Sequence, residues 1–81
     1  MNFARIFDFA DIGQVCVLRM EADDGTPECR FYVEPPELGV CSIGYGFTEN
    51  ESGFDKRDDL YENLDSEQVY DIVKSIPGIW P

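Results

Sequence analysis

Side-chain chemistry in this chain has to start from carboxylates. The stretch DKRDDLYENLDSEQVYD, Asp55 to Asp71, holds seven acids (Asp55, Asp58, Asp59, Glu62, Asp65, Glu67 and Asp71) against Lys56 and Arg57. A second acidic group, Glu21, Asp23, Asp24 and Glu28, surrounds a candidate turn. Paired carboxylates do general acid–base work when a pocket drives their pKa values apart. These acids fall in polar segments expected to be exposed, where such tuning is hard. Histidine, the commonest general base, is absent. Cys16, Cys29 and Cys41 lie in apolar, strand-like runs without a C-x-x-C pair, and read as buried, reduced thiols rather than zinc ligands. Gly44 and Gly46 form G-x-G with no third glycine and no helix opening after them, so no phosphate loop is expected. Asp23-Asp24-Gly25 lacks the spacing of a calcium loop and reads as a turn. The expectation is a binding protein, not an enzyme, with no cofactor and no metal.

The charge narrows the partner. A net charge of −11 on 81 residues exceeds the magnitude of about 2–8 that keeps a small domain soluble. The excess destabilises the compact state by self-repulsion. It also repels phosphate backbones and anionic lipid, so direct binding of nucleic acid or membrane is not expected. A hydrophobic fraction of 43% and an aromatic fraction of 14% argue for a folded chain, read as a single domain over residues 1–81. The opening MNFARIFDFA has no apolar h-region after its basic residue, and no apolar run approaches the ~20 residues that cross a bilayer. With reduced thiols, this gives a cytoplasmic expectation, in a bacterial host.

The elements that position these acids follow from periodicity. FARIFDF (3–9) reads as a first strand and QVCVLRME (14–21) as a second. ECRFYVE (28–34) alternates cleanly, with Cys29, Phe31 and Val33 on one face. Asp24-Gly25, taken as a two-residue turn, sets Glu21 opposite Glu28, Met20 opposite Cys29, Leu18 opposite Phe31 and Cys16 opposite Val33. That register puts Cys16, Leu18 and Met20 on the core face. Pro35-Pro36 forces a bend. LGVCSIGYGF (38–47) reads as the last strand, with Cys41, Ile43, Tyr45 and Phe47 on one face. Val40, Ser42, Gly44 and Gly46 form a nearly bare opposite strip, open to a helix or to a partner's chain. TENESGF (48–54) reads as a polar loop, and DKRDDLYENL as a weak helical turn or an irregular segment anchored by Phe54, Leu60, Tyr61 and Leu64. Asp65 and Gln68 form a capping box, and Leu64 with Val69 a hydrophobic staple. Val69, Ile72, Val73 and Ile76 make one apolar stripe, with Glu67, Asp71 and Lys74 opposite. Pro77-Gly78 ends the helix, and Ile79-Trp80 folds back as an apolar plug. The fold class is α+β: a three- or four-stranded antiparallel sheet with a C-terminal amphipathic helix packed on one face.

Rows of carboxylates on a stiff scaffold meet the same Lys/Arg clefts that otherwise receive phosphates, through charge-assisted hydrogen bonds and steered association. The candidate partner-binding residues are Asp55, Asp58, Asp59, Glu62, Glu67 and Asp71, with Asp23 and Asp24 at the hairpin tip and Tyr61 and Tyr70 to stack on arginine. The opening MNFARIF, the central LGVCSIGYGF, the FDK segment and the short acidic C-terminal helix together resemble small phage- and prophage-encoded accessory proteins of the anti-CRISPR and anti-restriction type. That resemblance implies an inhibitor that mimics nucleic acid and occupies the basic surface of a bacterial defence complex. Two other readings stand beside it. One is an immunity protein against a basic toxin, with an aromatic hot spot at Tyr61 or Tyr70. The other is a structural or assembly module, a homodimer included, that binds through its bare strand face or a sheet edge.

Overall fold

A computed structural model describes residues 4–80. Strands β1 (Ala4–Phe9), β2 (Gly13–Glu21), β3 (Pro27–Val33) and β4 (Cys41–Gly46) pair antiparallel in chain order, and helices α1 (Glu51–Asn63) and α2 (Ser66–Lys74) follow. Phe3, expected to open the first strand, lies outside the described residues. Helix α1 lies over β2 and β3, and α2 over β1. Val15, Val17, Cys29, Phe31 and Val33 from the sheet meet Tyr61, Leu64, Val69 and Val73 from the helical segment in one core. Both helices therefore share a face of the sheet. Among the described residues no helix lies over the other face, which carries Ile6, Cys16, Leu18, Met20 and Tyr32.

The β2–β3 register differs by one residue from the sequence expectation. The Gly25 N–H donates to the Ala22 carbonyl at 2.8 Å, and the Ala22 N–H donates to the Thr26 carbonyl at 2.8 Å. Gly25 sits at φ +89°, the left-handed position that closes a three-residue hairpin loop. The Asp24 carboxylate accepts from the Thr26 N–H at 3.0 Å and holds the turn from within. Glu21 therefore faces Pro27, Met20 faces Glu28, and Val17 faces Phe31. Side chains alternate with period two, so one extra loop residue exchanges the faces of the whole strand. Val15 and Val17 are fully buried, each worth about 1.5–3 kcal/mol. Cys16, Leu18 and Met20 turn to the uncovered face and are only half-buried.

The second correction is α1. Its first turn lies in the segment expected to be a loop, and its body in the segment expected to be a weak helical turn or irregular, so the helix is longer and better formed than expected. Asn50 caps it by accepting from the Gly53 N–H at 2.8 Å. Its inner face runs Gly53, Arg57, Tyr61, a spacing of four that a helix places on one side. A Cβ on Gly53 would coincide with the Thr48 carbonyl oxygen, so the helix lies against the preceding loop as closely as glycine permits. The third correction concerns the last strand, which is shorter than expected: Leu38 and Val40 lie outside it and are exposed. Among the described residues, neither a helix nor another backbone packs on its glycine strip. The Arg30 guanidinium lies over Gly44, held by Glu28 at 3.0 Å and by the Ser42 hydroxyl at 2.9 Å.

Helix α2 starts at the expected capping box, with the Gln68 N–H on the Asp65 carboxylate at 2.8 Å and the Asp65 N–H on the Gln68 side chain at 3.1 Å. Val69 and Val73 are fully buried, and Ile72 and Ile76 half-buried. The Trp80 indole N–H folds back onto the Val73 carbonyl at 2.7 Å. Lys74 sits 5.5 Å from the Trp80 ring centroid.

Candidate acidic interface on helix α1

The helical spacing of α1 turns four carboxylates outward. Glu51, Asp55 and Asp59 stand at i, i+4 and i+8, with Glu62 three residues further, and all four are exposed. Successive members are separated by about 4.5–6 Å along the axis. Like charges at i, i+4 destabilise a helix by about 0.2–0.5 kcal/mol per pair. Packing of the inner face, not local preference, holds this row together.

The three arginines beside this row point inward, and Lys56 is the one exposed base on α1. Arg57, at 8% exposure, donates from Nε to Asp58 at 2.9 Å and from Nη1 to the Met20 carbonyl at 3.0 Å, and it sits 5.0 Å from the Phe54 ring centroid. Arg19 reaches the same Asp58 oxygen at 3.4 Å. Arg5 donates to the Tyr61 carbonyl at 2.7 Å. Among the described residues, Asp58 and Glu28 are the two acids engaged in ion pairs. The outward row of α1 is thus left with its charge largely uncompensated, save that the Asn63 amide donates to the Asp59 carboxylate at 2.9 Å.

The structure divides the residues singled out from sequence. Asp55, Asp59 and Glu62 come together on α1, and Glu51 joins them. Glu51 was hidden from sequence reasoning by the expected loop, although Asn50 three residues before Gly53 is a capping signal. Asp23 and Asp24 are exposed at the hairpin tip. A Cβ on Gly25 would lie 2.8 Å from the Glu49 carboxylate, so the tip adjoins the segment leading into α1. The Thr26 hydrogen bonds hold the Asp24 carboxyl below its ordinary range, which keeps it charged. Glu67 and Asp71 are exposed on α2 over β1 and form a patch apart from the α1 row. Asp58, expected at the interface, is the anion between two arginines, with its side chain 36% exposed.

The two tyrosines are also committed elsewhere. Tyr61 is 6% exposed in the core, with its hydroxyl lacking a hydrogen-bond partner and its pKa raised by burial. It presents no ring to a partner. Tyr70 is half-buried, tilted against Phe9 at 5.4 Å, and its hydroxyl donates to the Asp11 carboxylate. That hydrogen bond lowers the pKa of Asp11 and raises that of Tyr70. Burial pushes the Cys29 thiol up to about 11, which keeps it protonated and unreactive. Among the described residues no three Cys, Asp or Glu side chains converge as a metal would require, and no helix is long and apolar enough to cross a membrane. No protein-family model, curated protein or solved structure matches this chain.

Proposed function

We propose that this chain is an acidic binding protein whose α1 carboxylates occupy the cationic, nucleic-acid-binding surface of a partner protein in the bacterial cytoplasm. The partner class follows the sequence resemblance: a nuclease or surveillance complex of bacterial defence, inhibited by a protein that takes the place of phosphates. The observation that carries the reading is the polarity of α1. Glu51, Asp55, Asp59 and Glu62 face solvent against the single exposed base Lys56, while Arg57 on the same helix is buried and spent on Asp58 and the Met20 carbonyl. A helix serving only solubility gains nothing from excluding its arginine from the charged face. A rigid acidic row gains steering toward a basic groove and displaces counterions when it docks.

The test is affinity capture from a bacterial lysate with the parent and with Asp55→Asn/Asp59→Asn/Glu62→Gln, eluted with duplex DNA. The reading expects nucleic-acid-binding proteins on the parent, released by DNA and absent from the variant. Capture that survives in the variant and resists DNA would overturn it.

A further inference from the structure

We infer that the free edge of β4 is a second interaction surface, separate from the α1 row, and that it accepts an extended segment of a partner protein with an apolar centre and cationic ends. The ladder defines which groups are available. Phe47 donates to the Pro27 carbonyl at 2.9 Å, so Cys41, Ile43 and Tyr45, which alternate with it in register, direct their backbone groups to β3. The N–H and C=O groups of Ser42, Gly44 and Gly46 therefore point away from the sheet. β4 pairs with β3 alone and is the last strand in the order, so among the described residues no strand meets them. These three residues have the smallest side chains in the strand, and the Arg30 guanidinium lies against the side of Gly44 where a Cβ would stand.

Sheet edges are normally blunted by lysine, proline, a bulge or a covering element. β1, the other edge, carries Arg5 and Asp8 and has α2 over it. β4 carries none of these protections. Leu38 to Thr48 contains no charged residue in a chain that is 28% charged, and Tyr45 in the strand, with Leu38 and Val40 before it, is exposed. Acids bracket this run at both ends, Glu34 and Glu37 before it and Glu49 after it. An added strand pairs its backbone with Ser42, Gly44 and Gly46, sets apolar side chains against Ile43 and Tyr45, and brings terminal lysines or arginines to the flanking carboxylates. A second copy of this chain fits poorly. It brings another −11, and antiparallel self-pairing sets Glu37 of one copy near Glu49 of the other.

The probe is a short peptide alternating valine and threonine between paired terminal lysines, titrated into the ¹⁵N-labelled protein. Hydrogen exchange at the Ser42, Gly44 and Gly46 amides is expected to slow on binding. Ser42→Pro removes one outward N–H without touching the β3 ladder and is expected to weaken binding about tenfold. Should that variant fail to fold, Gly46→Lys reads the same edge, since a Cβ there meets only the Thr26 methyl at 3.5 Å. Its added positive charge is expected to weaken the lysine-ended peptide as well. Protection at other amides, equal binding of a glutamate-ended peptide, no protection with the lysine-ended one, or a dimer that protects these amides without peptide would each overturn the inference.

Discussion

Replacing Asp58 by asparagine separates the scaffold from the acidic surface. Asp58 accepts from Arg57 at 2.9 Å and lies 3.4 Å from Arg19, with its side chain 36% exposed and that of Arg57 only 10%. Exposed ion pairs contribute about 0–1 kcal/mol, and breaking a buried one costs about 3–5 kcal/mol. Arg57 keeps the Met20 carbonyl and the Phe54 ring but loses its counter-charge, and water reaches Asp58 in part. The expected cost is therefore intermediate, about 2 kcal/mol. For a domain of this size that lowers the melting temperature by roughly 10 °C. Asp55→Asn, Asp59→Asn and Glu62→Gln each remove the same unit of charge from exposed sites. They are expected to melt within about 0.5 kcal/mol of the parent or above it, because each relieves self-repulsion. Thermal melts by circular dichroism at 50 mM and 500 mM NaCl make the comparison, with salt expected to raise the parent's melting temperature and to leave the Asp58→Asn deficit largely in place. If Asp58→Asn melts with the parent, the arginine–aspartate–arginine arrangement carries no stability and the argument fails.

Three further outcomes follow from the same packing. Gly53→Ala should destabilise by about 1–3 kcal/mol despite alanine's higher helix propensity, because its Cβ meets the Thr48 carbonyl; a denaturant midpoint equal to or above the parent's would contradict this. Tyr61→Phe should leave the melt unchanged or raise it, since the hydroxyl it removes is buried without a partner and such a group costs about 1–3 kcal/mol. Tyr70→Phe should lower the melting temperature near pH 7. The Asp11 contribution is present above its unfolded value of 3.8 and lost as pH falls through the depressed folded pKa. The Tyr70 contribution is present below its unfolded value of 10.0 and lost as pH rises through the raised one. The gap between parent and variant should therefore close at both extremes, and a gap constant from pH 2 to pH 11 would show that the hydrogen bond is not its source.

The parts of the fold that sequence made legible are those where local chemistry and hydrophobic period agree. β3 alternates in burial from Cys29 to Val33, and the sequence of α2 carries a capping box, a staple pair and an apolar stripe, so both elements are legible. The β2–β3 register is ambiguous in sequence because Asp-Gly serves two hairpin lengths. In β2 every residue from Val15 to Leu18 is apolar, so the pattern does not choose a face, and only the geometry at Gly25 decides. Helix α1 escaped because its buried face is a glycine, an arginine and a tyrosine, which no hydrophobic template scores as core. The acidic site was legible as a region but not residue by residue. Asp58 and Asp59 are adjacent and chemically identical in sequence, yet the helix points one at two arginines and the other at solvent.

The central claim is that the exposed α1 carboxylates act as one unit on a cationic partner. Its most direct measurement is the salt dependence of affinity for the captured partner, by titration calorimetry from 50 to 500 mM NaCl, for the parent and for Asp55→Asn/Asp59→Asn/Glu62→Gln. The account predicts a parent affinity that falls steeply with salt, and a variant that binds far more weakly with a shallower dependence while melting like the parent. Equal affinities and equal salt slopes would contradict it.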